Sequence, residues 1–112
     1  MSAATYDLVI DQGSDFALDL AVTENSSVKN LTGYSARAQI RSTKTASSVA
    51  ASFTCNIVSA SGGTLKIELP NATSSGMSAG RYFYDLEIFT SGNAVVKRLL
   101  EGTVTLNQEV TR

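Results

Sequence analysis

Short runs in which every second residue is apolar recur along this chain, separated by clusters of Gly, Ser and Asn. Alternation of this kind places apolar side chains on one face of an extended strand and polar or small side chains on the other. The clearest run is FALDLAV at positions 16–22. The pattern is typical of half-buried β-strands, and it predicts an all-β protein.

Seven segments show this alternation, at 6–11, 16–22, 34–41, 53–57, 65–69, 81–90 and 95–106. The stretches 24–30 and 42–48 lack apolar periodicity and are predicted to be loops. Gly62 and Gly63 predict a hairpin turn, and Pro70 should end the fifth strand before one helical turn at 71–77. Gly102 interrupts the last strand and predicts a bulge.

Seven short strands at this spacing favour an immunoglobulin-like antiparallel β-sandwich, with a small barrel as the alternative. Tyr82 favours the sandwich, because a Tyr just after an exposed corner resembles a tyrosine corner, whose phenol binds backbone upstream. Tyr84 stands where an antibody domain has its second Cys, and the chain has no Trp. The expectation is therefore the general architecture, in one domain over residues 1–112.

Composition argues against several classes of function. The formal net charge is −1, so the chain has no strong positive field to attract nucleic acid. It contains no histidine, which is the usual general base and zinc ligand. The single Cys55 cannot pair within the chain, and no apolar run is long enough to span a membrane. We expect a protein made in a reducing cytoplasm, without a secretion signal or membrane segment.

Candidate catalytic or metal-binding residues are few. Cys55 alternates with Phe53 and Ile57 on an apolar face, which favours burial over nucleophilic reactivity. The acidic residues Asp7, Asp11, Asp15 and Asp19 fall on two strands predicted to be neighbours. A solvated face that discourages edge pairing explains them better than a hard-cation site or an acid/base pair. We predict no metal, no cofactor, no small-molecule substrate and no catalytic residue.

Candidate contact residues lie on the polar faces of the third and sixth strands. Arg37, Arg41 and Lys44 form a small basic patch with Tyr34 nearby, which favours a solvated face or a partner's acidic groups over a nucleic acid strand. Phe83 and Phe89 lie on the polar side of the sixth strand. Either they anchor an interface, or that strand is central and covered on both faces. We predict that Arg37, Arg41, Phe83 and Phe89 contact partner proteins.

Four segments together resemble small virion proteins of tailed bacteriophages, especially those of cyanobacteria and other marine bacteria. They are YDLVIDQG at 6–13, LTGYSARAQIR at 31–41, GRYFYDLEI at 80–88 and RLLEGTVTLNQEVTR at 98–112. The resemblance implies a non-enzymatic structural protein made in the bacterial host cytoplasm and carried in the virion. Its partners would be other virion proteins and several copies of itself.

The leading expectation is an assembly adaptor in the tail, baseplate or fibre-attachment region. A capsid decoration protein is one alternative. A carbohydrate-binding or adhesin module is the other, and the absence of Trp lowers it because such sites usually present exposed aromatic side chains. An enzyme is not expected.

Overall fold

The computed structural model describes residues 4–24 and 26–110. In chain order its elements are β1 (Ala4–Thr5), β2 (Leu8–Asp11), β3 (Phe16–Ala21), β4 (Thr23–Glu24), β5 (Ser27–Val28), β6 (Ser35–Arg41), β7 (Ala51–Ser52), β8 (Thr54–Ser59), β9 (Thr64–Leu69), α1 (Asn71–Ser75), β10 (Gly80–Phe89), a 3-10 turn (Ser91–Asn93) and β11 (Val96–Asn107). The prediction of an all-β protein is confirmed. Within the described ranges, seven strands have four or more residues, and they overlap the seven predicted segments.

The larger sheet is built around β10, which pairs antiparallel with β6 on one side and with β11 on the other. The short strand β7 extends the sheet beyond β6. At the opposite edge, β1 and β2 both pair with β11, and both run parallel to it. The expectation of antiparallel sheets holds for the other pairings and was wrong for these two. The chain crosses to the other sheet after Asp11, so β2 pairs with the last strand instead of forming a hairpin with β3.

The smaller sheet has the order β3–β9–β8 and is antiparallel throughout. The predicted Gly62–Gly63 turn joins β8 to β9, and Gly63 has a φ of 68°, a conformation that costs glycine little. The stretch 24–30, predicted as a loop, overlaps a minimal hairpin in which β4 pairs with β5. Two residue pairs are too few to produce a recognisable alternation, so this hairpin left no periodic signal in the sequence.

One hydrophobic core lies between the inner faces of the two sheets. Ile40, Ile67 and Leu86 are all 0% exposed, as their alternating positions predict. Leu18 is only half-buried, because β3 has a pairing partner on one side only and lies at the edge of the smaller sheet. No helix in residues 4–24 and 26–110 is long and apolar enough to cross a bilayer.

The first predicted strand is broken at Tyr6 and Asp7, which separate β1 from β2, and the Tyr6 side chain is 48% exposed. The Tyr6 carbonyl oxygen accepts a hydrogen bond of 2.5 Å from the Tyr84 hydroxyl. A Cβ atom at Gly102 would lie 2.5 Å from that same carbonyl oxygen. Glycine is therefore required at position 102 by the close approach of another backbone segment.

The predicted bulge at Gly102 was wrong, because this residue pairs in register with Tyr84. The irregularity lies nearer the start of β11. Leu86 is opposite Leu100 while Glu87 is opposite Arg98, so Leu99 is the extra residue. A glycine in a strand indicates either a bulge or a close approach, and here the second explanation holds.

Side-chain hydrogen bonds join the first turn, α1 and the C-terminal segment at one end of the molecule. Ser74, in α1, is 0% exposed, and its hydroxyl accepts from the Gly13 backbone N–H at 2.9 Å. The Gln12 side chain donates to the Met77 carbonyl oxygen at 2.8 Å and accepts from the Glu109 N–H at 2.9 Å. Three segments far apart in sequence are thereby held together.

Replacing Ser74 with Ala should lower the free energy of unfolding by about 1.5 kcal/mol, because the partly buried Gly13 N–H loses its acceptor. Ser75→Ala is the matched control, since its hydroxyl is exposed and donates only to the Asn71 carbonyl oxygen within the same helix. Urea denaturation followed by circular dichroism measures both changes. Equal losses for the two variants would contradict this assignment for Ser74.

Candidate functional site

The outer face of the larger sheet brings together all four residues that the sequence predicted as partner contacts. We define this outer face as the solvent-directed side chains of β6, β10 and β11. Arg41 is directly opposite Phe83, and Arg37 is opposite Glu87. Phe89 lies at the end of the same row on β10, two residues beyond Glu87, so it points to the same side.

Phe83 and Phe89 are both half-buried on this face. The strand that carries them is central in the larger sheet, but its outer side is only partly covered, so the alternative of a strand covered on both faces holds only in its first part. The smaller sheet packs on its other side, where Tyr84, Leu86 and Ile88 are buried. Cationic side chains lie over both phenylalanine rings.

Arg37 makes three contacts at the Phe89 end of the outer face. Its Nε lies 2.5 Å from Glu87 Oε1, and a terminal nitrogen lies 3.2 Å from Asn93 Oδ1. The guanidinium carbon also lies 4.2 Å from the centre of the Phe89 ring, a cation–π arrangement. Arg37 therefore covers Phe89 and fixes it within the fold.

The middle of the outer face carries a charge network centred on Arg98. This guanidinium lies 3.4 Å from Asp85 and 3.6 Å from Glu101. Partial burial raises the pKa of Asp85 above its usual value, and Arg98 opposes that rise while Glu87 and Glu101 add to it. Asp85 is thus attracted by Arg98 and repelled by Glu87 and Glu101 within one small cluster.

The Phe83 end of the outer face is more open than the Phe89 end. Arg41 donates to the Ala46 carbonyl oxygen at 2.8 Å and to Gln39 Oε1 at 3.1 Å. The Lys44 ammonium lies 5.9 Å from the centre of the Phe83 ring. A shallow cavity of about 480 Å³ lies between these side chains and the Asp85–Arg98 pair. Space for a ligand group is therefore present here, beside an aromatic ring and two cations.

Tyr34, expected near the basic patch, is instead half-buried against the core. The Lys29 ammonium lies 5.1 Å from its ring centre. Alternation explains this placement, because Tyr34 falls on the inward-facing positions of its segment and Arg37 and Arg41 fall on the outward-facing ones. No aromatic–basic stack of the kind that single-stranded nucleic acids use is formed by Tyr34 with Arg37 or Arg41.

Cys55 is half-buried and packs against the core, with its sulfur 3.8 Å from the Phe53 carbonyl oxygen. Burial raises the pKa of its thiol to about 11, an effect that a backbone hydrogen bond at Ala38 partly offsets. The thiol is protonated at neutral pH, and the protonated form is the weaker nucleophile.

The four predicted acidic residues do not form one series. The prediction that they lie on neighbouring strands was wrong, because β2 and β3 belong to different sheets. Asp7 accepts from the Thr103 N–H at 3.0 Å, and Asp15 accepts from the Asn71 N–H at 2.8 Å. Asp11 binds the Asn107 side chain, and Asp19 approaches Lys66. Among the described residues, no group of three or more acidic or Cys side chains is placed to hold a metal ion.

These carboxylates make folding sensitive to acid. Hydrogen bonds from the Thr103 and Asn71 backbones lower the pKa of Asp7 and Asp15 below the usual value of 3.8. The unfolded chain then binds protons more readily than the native state, so their stabilising contribution is present above about pH 4 and is lost as the pH falls through the lowered values.

We therefore expect the urea midpoint to fall between pH 5 and pH 2, and to fall less steeply in the double variant Asp7→Asn, Asp15→Asn. Asp19→Asn is the control, because that carboxylate is 80% exposed and 4.0 Å from Lys66. The control should show the pH dependence of the parent chain. If the double variant shows it too, the assignment of Asp7 and Asp15 is wrong.

Tyr82 donates a hydrogen bond of 2.5 Å from its phenol to the Ser78 carbonyl oxygen, four residues upstream. This is the type of contact by which a tyrosine corner is defined.

Sequence reasoning missed Arg81 and Arg98 as outer-face residues. Arg81 was predictable, because it is two residues before Phe83 in the same alternating row, whereas Arg98 required the register of β11.

No protein-family model matches the chain, and no curated protein matches its sequence. Among solved structures, it is similar to part of a family 123 glycoside hydrolase from Clostridium perfringens, whose structural analysis concerned glycolipid glycan hydrolysis. The TM-score is 0.43 at 12% identity, and the match covers 100% of this chain and 24% of that one. A likeness at this level carries no argument about function.

Proposed function

We propose that this chain is a non-enzymatic structural protein of a tailed-phage virion, acting as an assembly adaptor in the tail, baseplate or fibre-attachment region. The observation that carries the protein-binding part is the outer face of the larger sheet, where Phe83 and Phe89 lie on the central strand β10 among charged side chains of β6, β10 and β11. The phage assignment rests on the resemblance of four sequence segments to small virion proteins.

We further infer an immunoglobulin-like arrangement of the strands. In such domains the second, fifth and fourth strands form one sheet, and the third, sixth and seventh form the other. Counting the seven strands of four or more residues, β3–β9–β8 and β6–β10–β11 follow these two orders. The Tyr82–Ser78 bond at the start of β10 supports the same inference. The first strand departs from it, because β2 pairs with β11 instead of β3.

The chemistry of the outer face suits protein partners. Arginine and aromatic residues are enriched in protein interfaces, and central aromatic side chains often supply most of the binding energy. The strands β6, β10 and β11 have 7, 10 and 12 residues. At about 4.8 Å between strands and about 3.3 Å per residue they offer roughly 500 Å², less than the roughly 800 Å² per partner of a standard interface. Stable attachment through this face therefore requires either additional contacts or several copies binding together.

The described residues of the outer face supply no activated nucleophile or general base. The sequence supplies no histidine, and the Cys55 thiol is held in its protonated form. The carboxylates at the centre of the outer face are each paired with Arg37 or Arg98, an arrangement that fixes geometry without activating a nucleophile.

Mass spectrometry of density-purified virions tests the proposal. We expect the chain in intact particles at a stoichiometry of several copies. Phe83→Ala should reduce its incorporation, whereas Val58→Ala, which removes a 63% exposed side chain from the smaller sheet, should not. Absence of the chain from purified particles would overturn the proposal.

A further inference from the structure

Three cationic side chains lie near Phe83 without a described carboxylate within ion-pairing distance. Arg41 is directly opposite Phe83 on β6, and Arg81 lies two residues before it on the same face of β10. The Lys44 ammonium lies 5.9 Å from the ring centre. We name this group the Phe83 site: Phe83, Arg41, Lys44 and Arg81.

The lack of ion pairs is specific to this site. Within residues 4–24 and 26–110, Arg41, Lys44 and Arg81 have no carboxylate within ion-pairing distance. Each of the other described cations has one, namely Lys29, Arg37, Lys66, Lys97 and Arg98. Positive charge left unpaired by the fold is therefore concentrated around one aromatic ring.

The described groups nearby form no ion pair with these cations, and the field of Arg41 only opposes the rise that partial burial causes in the pKa of Asp85. Arg41 donates only to neutral oxygens, those of Ala46 and Gln39, and its guanidinium has five N–H donors in all. Arg81 is exposed, and its field helps lower the pKa of Asp7 without forming a close pair. The carboxylates of the adjoining cavity, Asp85 and Glu101, are already bound by Arg98.

We propose that the Phe83 site binds an acidic segment of a partner protein, in which one or two carboxylates pair with the three cations and a neighbouring apolar side chain lies on the Phe83 ring. This inference rests on the proposed function, since it names the chemistry of the partner that the outer face contacts. Same-face residues of an extended segment recur every 7 Å or so, which is also the spacing of Arg81 and Phe83 along β10.

A protein segment fits this site better than a nucleic acid does. Asp85, Glu87 and Glu101 continue the same face next to the cations, and they would repel a continuous phosphate backbone. A peptide carries charge only at chosen positions, so its acidic residues can meet the cations while neutral residues pass the carboxylates.

The test is an NMR titration of the labelled full chain at low salt with two capped peptides of equal length. One probe carries two Asp residues flanking a Leu in a Gly/Ser background, and the other carries Asn in place of Asp. We expect the Asp probe to shift the signals of the Phe83 site and to bind about tenfold more tightly than the Asn probe. Adding salt should weaken the binding, because the pairs are exposed.

The triple variant Arg41→Gln, Lys44→Gln, Arg81→Gln should raise the Kd for the Asp probe about tenfold. Lys66→Gln is the matched control, since it removes a cation from the smaller sheet and should change the Kd less than about twofold. Circular dichroism and urea midpoints verify that both variants are folded.

Equal affinity for the two probes overturns the inference, as does unchanged binding of the Asp probe to the folded triple variant. Tighter binding of a thymidine oligonucleotide than of the Asp probe overturns it in favour of a nucleic acid. Virion mass spectrometry separates the two proposals. A chain present in virions that ignores the Asp probe refutes only this inference, and a chain that binds the probe but is absent from virions refutes only the proposed function.

Discussion

Leu86→Ala should lower the free energy of unfolding by about 3–4 kcal/mol, a large part of the 5–15 kcal/mol that stabilises a typical domain. Leu86 is 0% exposed and lies near the middle of β10, opposite Ala38 on one side and Leu100 on the other. Neighbours held by sheets on both sides cannot collapse into the space that the missing atoms leave. Urea denaturation, extrapolated to water, measures the loss.

Val58→Ala is the control for that measurement. Val58 is 63% exposed on β8, so its truncation should change the free energy of unfolding by less than about 0.5 kcal/mol. If the two substitutions cost the same, the inner face of β10 is not the centre of the core, and the assignment of faces throughout the larger sheet is wrong.

Gly102→Ala should cost about 3 kcal/mol, the upper end of the usual range for overpacking. The new methyl group would lie 2.5 Å from the Tyr6 carbonyl oxygen and 2.8 Å from an Asp7 carboxylate oxygen. The Tyr6 carbonyl is backbone and is already bound by the Tyr84 hydroxyl, so it cannot turn aside. The N-terminal segment must instead move away from β11.

Hydrogen exchange locates that movement. We expect amide protection to fall mainly in β1 and β2, which pair with β11, and to persist in β8 and β9 of the other sheet. Gly76→Ala is the matched control, because Gly76 has a φ of −84° and a Cβ there would lie 3.7 Å from the nearest non-neighbouring atom, the Thr73 carbonyl oxygen. A uniform loss of protection after Gly102→Ala would contradict a local cause.

Alternation of apolar residues was enough to assign faces. It placed Ile40, Ile67 and Leu86 inward, and Arg37, Phe83 and Phe89 outward, because side chains on a strand point to opposite sides in turn. Alternation did not identify which strands pair with each other. The parallel pairing of β2 with β11 depends on contacts between residues 96 positions apart, such as Leu8 and Val104, and no local pattern encodes them.

The sequence was enough to select the residues of the candidate site, but not to predict the contacts between them. Face assignment and the aromatic content selected Phe83, Phe89, Arg37 and Arg41. Only the register distinguishes Arg37, which is tied to Glu87 and covers Phe89, from Arg41, which has no carboxylate partner among the described residues. Lys44 follows β6 in a stretch without periodicity, so its position over Phe83 could not be deduced from spacing.

Residues in the segments that resemble virion proteins make contacts that hold the fold together. The last two residues of YDLVIDQG are Gln12 and Gly13. The Gln12 side chain binds the backbone of Met77 and Glu109, and the Gly13 N–H binds Ser74. The glycine of GTVTL is the one that the Tyr6 carbonyl approaches. Gln12 and Gly13 stabilise one end of the fold, and Gly102 leaves room for the N-terminal segment against β11.

The parallel pairing of β2 with β11 sets an order of events during synthesis. Leu8 and Ile10 leave the ribosome early, yet the strand that receives them ends at Asn107. Until about 96 further residues have been translated, this apolar segment has no native partner in its own sheet and is exposed to other nascent chains. Closure of this edge of the sheet is consequently a late step in folding, and until then chaperone contact or exchange between copies can act on β2.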